Sequence, residues 1–133
     1  MWGLCVAVWF DLFSFPSSVY RFPYTAQSPT LYTKVRFESV EDVYDEIGRI
    51  EKVENKWSLG RNLYFNLSLF CDPQIVVTDE CWDLINEYQL VSEYNVPISD
   101  SLENAPWHKY KYFNLIKREN QEALKYYGEK QSN

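Results

Sequence analysis

The chain has 133 residues, enough for one domain with a sizeable core that needs no stabilising metal or disulfide framework. Its formal net charge is −6, which argues against nucleic acid as a direct ligand because phosphate binding depends on Lys and Arg. Aromatic residues make up 18% of the chain, and a share this high serves either a core or a protein-binding surface.

The cysteines Cys5, Cys71 and Cys81 form an odd number without a C-x-x-C pair. This pattern favours reduced thiols over a disulfide framework. The apolar stretch over residues 2–10 lacks the basic residues of a secretory signal and is too short to span a bilayer as a helix. We therefore predict a cytoplasmic protein that does not enter a membrane.

The first third of the chain predicts strands and a loop. Residues 2–13 form a nearly continuous apolar run, which predicts a strand buried on both faces. Residues 14–30 contain three prolines and predict a loop. Alternation over residues 31–37 predicts a half-buried strand with Val35 and Phe37 facing inward.

The middle of the chain predicts two helices and two strands. Ser39 begins a capping-box pattern, and apolar residues recur at helical spacing over residues 40–53, so we predict a helix there. Residues 62–70 alternate strictly and predict a strand. The β-branched residues 75–77 predict a short strand that leads into a helix over residues 79–89.

The last third predicts strands followed by a helix. Residues 91–98 predict an edge strand because they contain a proline, and residues 107–116 alternate like a strand. Residues 117–127 predict a helix that ends at Gly128. Together these elements predict a single α+β domain over residues 1–133, a mostly antiparallel sheet with two or three helices packed on it.

The residue types that carry catalysis are scarce or scattered. His108 is the single histidine, and no G-x-S-x-G motif accompanies it. Cys71, Cys81 and His108 match no zinc spacing. Carboxylate pairs such as Glu41 and Asp45 lie on predicted helix surfaces, where nothing drives two pKa values apart. We predict no catalytic, cofactor-binding or metal-binding residue and interpret the protein as not an enzyme.

The predicted helices over residues 39–53 and 79–89 are both acidic. Exposed carboxylates on two helices would speed encounter with a basic protein partner, and a tryptophan could anchor the complex. The predicted partner-binding residues are Glu41, Asp42, Asp45, Glu46, Asp79, Glu80, Asp83, Glu87 and Trp82.

Several short pieces of the C-terminal half follow a common order: Pro73, Ile75 to Thr78, Leu84, Leu90, Val96 to Ile98, and Tyr112 to Asn114. Through them, residues 73–116 resemble a bacterial immunity-protein family associated with polymorphic toxins. In that family a short strand ending in Ser or Thr leads into a helix, and a Pro-containing strand and a Tyr-rich strand follow. The resemblance implies an intracellular inhibitor that binds a cognate toxin domain.

The sequence therefore predicts a non-catalytic acidic binding protein that inhibits a basic protein partner, such as a toxin or nuclease. One alternative is a phage-type anti-defence inhibitor that mimics nucleic acid with its carboxylates. A second is a small enzyme that uses His108 or a carboxylate pair. A third is a structural subunit of a larger assembly, which the aromatic content would suit.

Overall fold

A computed structural model describes residues 2–13, 20–94 and 107–132, and it is mostly helical. Within these ranges five α-helices accompany one two-stranded sheet, so the predicted α+β fold dominated by an antiparallel sheet is wrong. The elements are α1 (Trp2–Leu12), β1 (Tyr24–Gln27), β2 (Lys34–Phe37), α2 (Val40–Glu51), α3 (Leu59–Asn66), α4 (Asp79–Tyr94) and α5 (Trp107–Ser132), with short 3₁₀ helices at Leu67–Leu69 and Pro73–Ile75.

Helix α1 forms the centre of the fold. Every residue from Gly3 to Phe10 is buried, and the helix packs against α3, α4 and α5. A helix that is apolar on all sides is stable only when it is surrounded by other elements. The strand predicted over residues 2–13 is wrong because a continuous apolar run has no period that separates a buried strand from a buried helix.

Two glycines let the neighbouring backbone approach α1 closely. A Cβ added at Gly3 would lie 2.2 Å from the carbonyl oxygen of Val76. One added at Gly60, in α3, would lie 2.7 Å from the carbonyl oxygen of Cys5. Real Cβ contacts are not this short, so both packing contacts depend on the missing side chain.

Strands β1 and β2 pair antiparallel, with Tyr24 opposite Phe37 and Gln27 opposite Lys34. Phe37 is fully buried, and its ring stacks on that of Phe70 at a centroid distance of 5.7 Å. The hairpin is thereby attached to the helical core through its inner face.

The strand predicted over residues 31–37 is confirmed for its second half, where Val35 and Phe37 face the core. The segment 14–30 was predicted to be a loop, but β1 lies within it, while its residues 14–19 fall outside the described residues.

Helices α2 and α4 confirm the helices predicted over residues 40–53 and 79–89. Helix α4 continues to Tyr94, so the first part of the predicted edge strand 91–98 is helical. The rest of that strand lies outside the described residues.

The other predicted strands are also wrong. Residues 62–70 belong to α3 and a 3₁₀ turn, and residues 107–116 belong to α5. Residues 75–77 do not form a strand. Ile75 is the last residue of a 3₁₀ helix, and the side chains of Val76 and Val77, which follow it, are buried. Helix α5 also passes through Gly128, which was predicted to end it.

Candidate functional site

Five of the predicted partner-binding carboxylates are exposed on two helices. Helix α2 presents Glu41 and Asp45, and the first two turns of α4 present Asp79, Glu80 and Asp83. Negative charge near a helix N-terminus is stabilised by the helix dipole, which explains why acidic residues can gather at Asp79 and Glu80. These five residues are called the acidic face below.

Both acidic helices touch the first turn of α1. The ring of Trp2 packs against Tyr44 of α2 at a centroid distance of 6.0 Å, and its Nε1 donates to Glu51 at 2.7 Å. The next residue, Gly3, lies against Val76 and against Cys81 in α4. The start of α1 therefore contacts two acidic helices that are distant from each other in the sequence.

Glu46 is not part of the acidic face, because its side chain is fully buried. Its carboxylate accepts hydrogen bonds from Ser28 Oγ, from Thr30 Oγ1 at 2.8 Å and from Arg49 Nε at 2.7 Å. A buried carboxylate needs such donors to offset its desolvation. Glu46 therefore fastens the turn between β1 and β2 to α2, and its predicted role in direct partner contact is corrected.

Two other predicted carboxylates already have partners on the molecule. Asp42 is half-buried and accepts a hydrogen bond from the backbone N–H of Glu38 at 2.9 Å. Glu87 pairs with Lys109 of α5 at 2.8 Å. A basic partner could pair with either carboxylate only by replacing one of these contacts.

Trp82 is half-buried beside the acidic face. With Asp79, Thr78 and Gln74 it lines an open depression of about 450 Å³ at the start of α4. The structure thus places the predicted aromatic anchor next to one of the predicted carboxylates.

The thiols of Cys5 and Cys71 are unsuited to nucleophilic chemistry. All three cysteines are free and buried. Burial raises the pKa of the Cys5 thiol to about 12, and the nearby Glu119 carboxylate adds to the rise. Burial, together with Asp72, raises the pKa of Cys71 to about 12. Thiols in such surroundings stay protonated at neutral pH.

The described residues hold no group of three or more His, Cys, Asp or Glu side chains that could bind a metal ion. The side chain of His108 lies outside that description, so its predicted non-catalytic role stays a prediction. In the part of the chain that the structure covers, no helix is both long and apolar enough to cross a membrane.

Glu119 is 1% exposed, and no sequence pattern singled it out. Its carboxylate accepts hydrogen bonds from Trp9 Nε1 at 3.0 Å, from Ser58 Oγ at 2.7 Å and from the backbone N–H of Gly60 at 3.3 Å. It lies at the N-terminus of α3, whose dipole favours a negative group. All three donors come from other elements, and we interpret Glu119 as a structural residue.

A scan against protein-family models and searches of curated proteins and of solved structures found no match.

Proposed function

We propose that the protein is a non-catalytic binding domain that uses its acidic face to capture, and thereby inhibit, a basic protein partner. A toxin or nuclease domain is the partner that the sequence resemblance implies. The observation that supports the proposal most is the contact of α1 with both acidic helices, through Trp2 on one side and Gly3 on the other. The two helices that carry the exposed carboxylates are thereby linked through the first turn of α1.

Charge of this kind acts mainly on the association rate. Opposite charges steer two proteins into contact, and the effect weakens as salt screens the field. Trp82, beside Asp79, would supply apolar contact area that persists when salt is added. The proposal therefore expects salt to slow association without abolishing the complex.

The state of the cysteines supports an intracellular site of action. Cys5, Cys71 and Cys81 are all free, and unpaired cysteines are typical of reducing compartments. A cytoplasmic location is part of this proposal.

Affinity capture from a native lysate of the source cells tests the proposal with two matched variants. Asp45→Lys/Asp83→Lys changes the acidic face, and Glu54→Lys/Glu93→Lys changes exposed carboxylates elsewhere. Both pairs shift the net charge by the same amount. The parent protein and the second variant should retain the same basic protein, and the first variant should lose it.

Equal capture by both variants would show that the location of the charge is irrelevant and would overturn the proposal. So would a captured partner that is acidic, or one that the protein chemically modifies.

A further inference from the structure

A groove runs between the turn of the β-hairpin and the side formed by α2 and α3. It consists of two adjoining depressions of about 450 Å³ and about 200 Å³. Pro29, Tyr32 and Asn66 line both. Leu69 completes the larger depression, and Trp57 lies in the wall of the smaller one.

Large apolar side chains around this groove are left open to solvent. Tyr32 is 78% exposed, Leu69 58% and Trp57 41%. Leu31, next to Tyr32 in the chain, and Val53, which lines the smaller depression, are also exposed. Single exposed apolar residues are ordinary, but a contiguous patch with a polar rim marks an interaction site.

Hydrogen bonds from buried side chains hold the turn that carries Tyr32 in one conformation. Ser28 is fully buried, and its Oγ accepts the backbone N–H of Leu31 at 2.9 Å while its hydroxyl donates to Glu46. Thr30 Oγ1 donates to the same carboxylate at 2.8 Å. Such a turn presents its side chains without a large entropy loss on binding.

Tyr32 occupies an unfavourable backbone conformation. Its φ is 60°, in the left-handed region that favours glycine. A bulky side chain at that position costs free energy, yet here it is almost fully exposed and packs against little that would repay the cost. An exposed aromatic residue kept at a strained position suggests selection for binding rather than for folding.

The segments that build the groove are basic in an acidic chain. Residues 20–37 and 50–70, which include all of the lining residues, contain six Lys or Arg and two Glu, a net charge of +4, against −6 for the whole protein. Lys34 lies opposite Gln27, so their side chains share one face of the hairpin, and Gln27 lines the larger depression.

Lys56 is exposed between Asn55 and Trp57, and both of these neighbours line the smaller depression. The described lining residues of both depressions are uncharged. The groove is therefore apolar and amide-lined, with Lys34 and Lys56 at its edges and one exposed carboxylate, that of Glu54, between Val53 and Asn55.

We infer that this groove docks an acidic peptide segment of a protein partner, one in which Asp or Glu residues flank an aromatic or aliphatic anchor. The anchor packs on Tyr32, Leu69 and Trp57. The flanking carboxylates face Lys34 and Lys56. Nucleic acid fits less well, because its closely spaced phosphates need basic residues along the whole groove rather than at its edges.

This surface differs from the acidic face in location and in sign of charge, so the inference can fail or hold independently of the proposed function. It is tested by selecting displayed random peptides of about a dozen residues on the intact protein, with binding of the enriched peptide then measured by fluorescence anisotropy. The enriched peptides should be acidic around an aromatic or aliphatic residue.

Tyr32→Ala and Lys34→Glu/Lys56→Glu should each weaken binding of the selected peptide by about tenfold or more. Two control variants should change the affinity for the peptide less than about twofold. Tyr94→Ala removes a tyrosine that is 64% exposed on α4, and Lys117→Glu/Lys125→Glu reverses two charges on the exposed side of α5. Asp45→Lys/Asp83→Lys should bind the peptide as the parent does, which separates this inference from the proposed function. Circular dichroism confirms that each variant is folded.

The inference is overturned if selection yields no enriched sequence or basic peptides, or if Tyr32→Ala binds as tightly as Tyr94→Ala. It is also overturned if an oligothymidine displaces the peptide at comparable concentration, since the groove would then be a single-strand binding site.

Discussion

Glu119 of α5 accepts a hydrogen bond at 2.7 Å from the Oγ of Ser58, the residue immediately before α3. The same carboxylate accepts from Trp9 Nε1 of α1 at 3.0 Å. One buried side chain therefore connects the central helix with α3 and α5. Because α1 also contacts α4 directly and α2 through Trp2, this connection supports the fold that carries the proposed binding surface.

Replacing Glu119 should destabilise the protein measurably. Glu119→Ala leaves the indole N–H of Trp9 and the N-terminus of α3 without an acceptor, at a cost of about 2–3 kcal/mol in the free energy of unfolding. Urea denaturation followed by tryptophan fluorescence measures the loss. Glu122→Ala, one turn away and only half-buried, should stay within about 0.5 kcal/mol of the parent. Equal losses in the two variants would contradict the structural role of Glu119.

Arg61 should stabilise the packing of α3 on α5 through its aromatic neighbours. Its guanidinium carbon lies 4.3 Å from the ring centroid of Trp57 and 4.9 Å from that of Tyr126. Arg61→Met keeps the apolar stem but removes the cation, and with it an ion pair to the exposed Glu129 at 3.9 Å. We expect the variant to lower the free energy of unfolding by about 1 kcal/mol, mostly through the lost ring contacts because an exposed ion pair contributes little. Arg118→Met, at an exposed position, is the control, and a loss of the same size there would mean that the ring contacts of Arg61 contribute nothing.

Tyr32→Gly should separate stability from binding. Glycine adopts the left-handed conformation found at φ 60° without steric cost, so the variant should be as stable as the parent or more stable by up to about 1 kcal/mol. Thermal denaturation and urea denaturation measure this. The same variant should lose the docking of acidic peptides, and a variant that is less stable than the parent would contradict the strain assigned to Tyr32.

The buried thiols predict a decline in stability at high pH. The ordinary pKa of a cysteine is 9.0, and in the folded chain those of Cys5 and Cys71 rise to about 12. Between these values the unfolded chain releases protons that the folded chain keeps. The stabilisation is therefore complete below about pH 9 and is lost as pH rises toward 12.

Urea denaturation at about pH 8 and about pH 10 measures the decline, which can approach about 1.4 kcal/mol per pH unit for each thiol. In Cys5→Ala/Cys71→Ala the dependence on pH should be shallower than in the parent, whatever the stability of the variant at neutral pH. An unchanged slope would show that these thiols do not ionise differently in the two states.

Helices α2 and α4 were predictable from the sequence, and the central helix α1 was not. In α2 the apolar residues Val43, Ile47 and Ile50 recur at helical spacing beside charged ones, and that contrast is the signal. In α1 the contrast is absent, although a run of twelve mostly apolar residues is longer than most strands and would have favoured a helix.

Two periods coexist in α3. Leu63, Phe65, Leu67 and Leu69 alternate as in a strand, but in α3 and the 3₁₀ helix that follows it the apolar side chains that are buried are Leu63 and Leu67, four residues apart. Leu69 is 58% exposed. The alternation arose because apolar residues occur on the outer side of the helix as well, and Leu69 lines the groove proposed here to bind a peptide.

The candidate site was predicted in part. Glu41, Asp45, Asp79, Glu80 and Asp83 are exposed as helix periodicity indicated. Glu46 could not be recognised as buried, because its partners Ser28 and Thr30 belong to a turn whose position depends on tertiary packing. The groove around Tyr32 was missed for the same reason, since its walls come from three separate segments.

The association rate of this protein with its captured partner, measured by stopped flow as a function of ionic strength, tests the central claim most directly. The acidic face predicts that Asp45→Lys/Asp83→Lys slows association by about tenfold or more at low salt, that Glu54→Lys/Glu93→Lys has a much smaller effect, and that the difference shrinks as salt is raised. Association rates that are equal for the two variants, or independent of salt, would contradict the account.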